Sequence, residues 1–133
     1  MNNINIRHLI SKKLEFMNLF TNILANFRIY LAANNEIGKE ELSGAHSALE
    51  GFKVINRNLI KSFSSSRTII SLLNEEKIFL LRIDQEISRI WMIQEQGNFA
   101  LLPSHLSEIN SLFNGFIKKA EESTRLINSL IKQ

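Results

Sequence analysis

Apolar residues recur at alternating steps of three and four along almost the whole chain, and few folds accommodate that spacing. In the first segment Ile6, Ile10, Lys13, Met17, Phe20, Leu24, Phe27 and Leu31 keep the pattern. A helix of about 3.6 residues per turn returns every third or fourth side chain to one face, so the spacing predicts a helix laid against other helices. Leu9, Phe16, Ile23 and Tyr30 run beside this seam at heptad intervals. They widen the stripe to the face that a bundle helix buries.

The pattern restarts three times. The second segment carries Leu42, Ala45, Leu49, Phe52, Asn56, Leu59 and Phe63, with Ala48 and Ile55 alongside. The third carries Ile69, Leu73, Glu76, Leu80, Ile83, Ile87, Ile90 and Gln94, flanked by Leu72, Phe79 and Ile93. The fourth carries Leu106, Ile109, Phe113, Phe116, Ala120, Ser123, Ile127 and Leu130. Each interruption holds helix-ending chemistry. Asn34, Asn35 and Gly38 separate the first two segments, with Ile37 and Leu42 placed as a hydrophobic staple around Gly38 as N-cap. The run Ser64 to Ser66 offers caps for the third helix. Gly97 stands where a C′ glycine belongs, and Pro103 suits the first turn of the fourth helix.

These signals predict an all-α chain with helices over about 4–32, 39–63, 66–96 and 103–131. Short connections make consecutive helices antiparallel, so an up-down-up-down four-helix bundle over residues 1–133, one domain, is the expected architecture. The short SFSSS stretch leaves an alternative in which the second and third helices fuse and a partner chain closes the core. Five glycines and one proline supply too few turns for a sandwich or barrel of many short strands.

Each predicted helix has one polar residue at an inward position: Lys13, Asn56, Glu76 and Ser123. Counted from the turns at ~1.5 Å per residue, the four fall within one or two helical turns of a common level. The expectation is a buried polar layer with Lys13 paired to Glu76, since a lone buried charge is costly and opposite charges at one height explain one another. Its plainest role is to fix register, as single polar residues do in coiled coils. Two alternatives are separate snorkelling to water and a site for a small ligand.

Catalytic chemistry finds no foothold. Cysteine is absent, which removes a thiol nucleophile, a thiolate metal site and a redox pair. His8, His46 and His105 form no HExxH or ExxH motif, and no glycine-rich phosphate loop or GxSxG elbow occurs. A non-enzyme without metal or cofactor is expected. Arg7, Lys12, Lys13 and Glu15 break any apolar leader, and no run approaches the ~18 residues that span a bilayer. The corresponding expectation is a soluble cytoplasmic protein with no membrane partner.

Charge divides along the predicted bundle. The end with both termini and the second turn holds eleven bases against five acids, and the opposite end five bases against eight acids. Arg7, Lys12, Arg57, Lys61, Arg67 and Lys132 form the candidate basic patch, suited to phosphate groups or an acidic protein surface. No aromatic residues interleave with them as a single-strand stacking groove requires.

Outward apolar residues give the stronger hint. Trp91, Met92, Phe99, Leu101, Leu102 and Ile78 form the candidate partner surface, the alternative being that Phe99, Leu101 and Leu102 fold back over Trp91. Gly44, Ala48 and Gly51 predict a close approach of the second helix to Phe20, Phe27 and Tyr30. The leading expectation is therefore a non-catalytic protein–protein interaction module of the adaptor, chaperone, immunity or regulatory type. Its partner would be another protein or a second copy. A nucleic-acid-associated accessory subunit using the basic end is one alternative, and a ligand-sensing bundle using the polar layer is another.

Overall fold

The structure, a computed structural model, describes residues 3–131. It contains α1 (Asn3–Asn34), α2 (Lys39–Ser62), α3 (Arg67–Glu95) and α4 (Leu102–Ile131), with a short 3₁₀ turn at Phe99–Leu101 before α4. The chain is an all-α four-helix bundle. Each helix packs on its neighbour in sequence and α4 closes on α1, while the diagonal pairs make no close backbone approach among the described residues. The second and third helices do not fuse, because the chain turns at Phe63 to Ser66. There the Phe63 N–H donates to Leu59 O at 3.0 Å and the Ser66 N–H to Phe63 O at 2.9 Å.

Local chemistry sets the ends. Ser66 caps α3, its hydroxyl accepting from the Ile69 N–H at 3.4 Å. Gly97 ends α3 at φ +75°, with its own N–H donating to Gln94 O at 3.1 Å and the Asn98 N–H to Ile93 O at 3.0 Å. That pair of bonds is a Schellman closure, which favours a residue without a Cβ. Between α1 and α2, Ile37 and Leu42 are both buried around Gly38. Gln94 locks this connection to α3: its Oε1 accepts from the Ile37 N–H at 2.6 Å and its Nε2 donates to Ile37 O at 2.8 Å. A polar seam residue near the bundle end thus satisfies a loop that would otherwise bury bare backbone.

The core falls into two clusters. Toward the α1–α2 connection, Phe20, Phe52, Phe113 and Phe116 pack with Leu49, Leu80, Ile83 and Ile109. Phe20–Phe113 is tilted with centroids 4.7 Å apart, Phe52–Phe116 edge-on at 4.9 Å and Phe113–Phe116 stacked at 5.9 Å, geometries open to aromatic pairs. Toward the termini the core is mainly aliphatic, with Ile6, Ile10, Ile55, Leu59, Ile69, Leu73, Ile127 and Ile131. On every helix the polar seam residue lies at the boundary between the two clusters.

Two glycines let bulky rings approach. A Cβ on Gly51 would stand 2.6 Å from Phe16, and one on Gly115 would stand 2.5 Å from Phe79. At Gly51 the close approach of α2 is therefore made to Phe16, Gly44 faces open space, and Ala48 is buried in the same cluster as Phe20 and Phe27. Leu102 also departs from expectation. It is wholly buried in the aromatic-rich cluster, because the 3₁₀ turn ends in time for Leu102 to open α4 on its inward face. It is no part of an exposed partner surface. Leu130 is exposed, and the neighbouring Ile131 fills the core instead.

Candidate functional site

All four helices converge on one carboxylate. Glu76 on α3 is fully buried, and Lys13, Asn56 and Ser123 reach it from α1, α2 and α4. Lys13 Nζ lies 2.5 Å from Glu76 Oε1 across the bundle diagonal. Asn56 Nδ2 donates to the same oxygen at 3.2 Å, and the Ser123 hydroxyl donates to Oε2 at 2.6 Å. Lys13 to Glu76 is an ion pair, not a well-directed hydrogen bond, so the ammonium is balanced in charge while its N–H groups are under-satisfied. Burial holds the Lys13 ammonium below its usual range, and the Glu76 carboxylate opposes that shift. With the carboxylate engaged from three sides and no opening at Lys13, the layer binds the helices together.

A second charged cluster lies on the outer face of α2 and α3. His46 Nδ1 is 2.8 Å from Asp84 Oδ1. Lys53 Nζ lies 2.9 Å from Glu50 Oε1 and 3.8 Å from Asp84 Oδ2. Ligand-capable atoms of His46, Glu50 and Asp84 fall within 4.8 Å of one another, but the Lys53 ammonium already supplies the positive charge between the two carboxylates. The i, i+4 spacing of His46 and Glu50 was the only trace of this cluster in the sequence. Lys53 also draws the Glu50 carboxyl below its usual range through its hydrogen bond and charge. On the other side of α3, Glu86 is buried, with His105 Nδ1 2.6 Å from its Oε2 and Arg89 paired to its Oε1.

The exposed apolar residues separate into distinct places. Trp91 and Met92 line a groove of about 380 Å³ between α2 and α3, with Leu42 and Ile87 as apolar walls and His46 and Asp84 at its polar side. Met92 is 57% exposed. Trp91 is half-buried; its Nε1 donates to Glu95 Oε1 at 2.9 Å, and Lys39 Nζ lies 5.5 Å from its ring. Ile78, Phe99 and Leu101 are exposed and do not line this groove.

Arg7, Arg57, Lys61 and Arg67 are exposed and form no ion pair with a described residue, whereas Lys12 pairs with Glu15 at 3.2 Å. Lys132 lies outside the described residues. No helix among the described residues is long and apolar enough to cross a membrane. No family model matches the chain, and no curated protein or solved structure matches it.

Proposed function

We propose that the chain is a non-catalytic, cytoplasmic protein-interaction module whose working surface is the α2–α3 groove. The observation that carries this reading is the joint placement of Trp91 and Met92 against Leu42 and Ile87 in an open apolar groove with His46 and Asp84 beside it. An aromatic and a flexible thioether on apolar walls, with polar groups at the side, form the kind of patch that anchors a partner side chain. The fitting occupant is an amphipathic protein segment with an apolar anchor residue. The buried layer supports this division of labour, since its charged groups are spent inside the bundle.

The test compares tagged wild-type chain with Met92→Glu, each carrying a photo-crosslinking residue at position 88, in lysate treated with nuclease. Met92 is exposed enough for the substitution to leave helicity unchanged. The expected outcome is a crosslinked protein that is lost in Met92→Glu and insensitive to nuclease. A crosslinked protein retained by Met92→Glu would sink the groove as the binding surface. Nuclease-sensitive capture that depends on Arg57, Lys61 and Arg67 would favour a nucleic-acid partner instead.

A further inference from the structure

The face around the α2–α3 groove carries a pattern that selects its occupant. Along the side of α3 next to α2, Lys77, Leu81, Asp84, Ser88, Trp91 and Glu95 follow one another at steps of four and three. That spacing keeps them in one stripe. Asp84 ties the stripe to α2 through His46 and Lys53, and Ser88 and Trp91 line the groove. Lys77 lines a smaller recess nearer the α2–α3 turn together with Arg57.

Turned end for end about the level of Glu86, the stripe falls on itself. Lys77 then meets Glu95, Leu81 meets Trp91, and Asp84 meets Ser88. A cation faces an anion, an aliphatic side chain faces an aromatic one, and a carboxylate faces a hydroxyl donor. Any stripe of this spacing is symmetric; the match of residue types is what singles out this arrangement. Across a two-fold axis each match occurs twice. A parallel two-fold pairing instead sets Lys77 against Lys77 and Glu95 against Glu95, which like charges disfavour.

The flanking charges agree with the antiparallel sense. Arg57 and Lys77, at one end of the face, are exposed and form no ion pair with a described residue. At the other end Glu36 and Glu95 stand beside Trp91, with Lys39 over its ring. Ile78, Leu81 and Met92 add exposed apolar surface on α3. Two helices side by side present a face roughly 35 Å long and 20 Å wide, on the order of 700 Å², close to the ~800 Å² per partner of a standard interface.

We propose that the occupant of the groove is a second copy of the chain, packed antiparallel about a two-fold axis near the level of Glu86, with Leu81 of each copy seated beside Trp91 and Met92 of the other. The proposal rests on the reading that this groove is the working surface, and it makes α3 of the second copy the amphipathic segment received there.

The experiment is sedimentation velocity of the full chain over a concentration series, with helicity followed by circular dichroism. Expected is a species of twice the chain mass that dissociates on dilution. Leu81→Arg, at an exposed position, weakens it about thirtyfold or more. Lys77→Glu and Glu95→Lys each weaken it about tenfold or more, because each sets like charges together at both symmetric contacts. An equimolar mixture of those two variants associates as wild type does, since every mixed pair regains both opposite-charge contacts. A chain that stays monomeric, a dimer indifferent to Leu81→Arg, or charge variants that remain weak when mixed would overturn the proposal. The crosslinker at position 88 separates its failure from that of the groove. Capture of a different protein by a monomeric chain, lost in Met92→Glu, overturns the second copy and leaves the groove standing. A dimer untouched by Met92→Glu overturns both.

Discussion

Helices α2 and α3 carry two charged clusters a few turns apart. At one, Glu76 is fully buried and meets Lys13, Asn56 and Ser123 from the other three helices. At the other, Asp84 and Glu50 meet His46 and Lys53 at the surface, with the His46 side chain 53% exposed. Water supplies little of what the first cluster needs and most of what the second needs. Burial, not residue type, therefore decides how much each pair matters to the fold.

The largest effect that would break this contrast is expected at Glu76. Glu76→Ala leaves the Lys13 ammonium buried without its counter-charge and costs about 3–5 kcal/mol in chemical denaturation. Replacing both partners together, Lys13→Met with Glu76→Leu, should recover part of that loss, since it removes both ionic desolvation penalties but leaves the buried Asn56 Nδ2 without its acceptor. If the double variant is no more stable than Glu76→Ala, the layer contributes something beyond paired burial.

A smaller effect separates the clusters by pH. Burial places the folded-state value of Lys13 below its ordinary value of 10.5. In the window between that lowered value and 10.5 the unfolded chain holds more protons than the folded one, so stability rises with pH. Lys13→Met should flatten that rise in urea titrations run at successive alkaline pH values. Glu50 gives the same sign in an acid window, through a favoured carboxylate and not a penalised ammonium. Its value lies below 4.5 in the fold, so its contribution is present above 4.5 and fades as pH falls through the lower folded value. A Lys13→Met profile parallel to wild type would remove the distinction between the two clusters.

The smallest effect belongs to the surface pair. Asp84→Asn is expected to change stability by under about 1 kcal/mol, with most of that small change removed by added salt. A loss comparable to that of Glu76→Ala would mean that the outer cluster also clamps α2 to α3.

The seam residues and the helix ends were legible in the sequence because periodicity and capping are local. The level of Lys13, Asn56, Glu76 and Ser123 was legible for a related reason: short turns and a constant rise convert sequence distance into height. Glu86 was not, because it lies beside the seam residue Ile87 and its burial depends on His105 arriving from α4. The burial of Leu102 is equally hidden, because Pro103 marks the first turn of the fourth helix and nothing local shows that a 3₁₀ turn places the preceding residue inside. Gly115 resembles a tolerated helix glycine until the Phe79 ring is set against it. The outer cluster depends on rotamers across two helices, which no spacing rule reports.

Trp91, the chain's single tryptophan, packs against the Phe-rich cluster and not against the aliphatic one. Its emission therefore follows the loosening of that half alone. Ile6, Ile127 and Ile131, beyond the ionic belt, can open without changing it. A fluorescence melt and an isoleucine methyl melt of the same sample then read two thermometers placed at opposite ends of one molecule, and any gap between their midpoints measures how firmly the belt couples them.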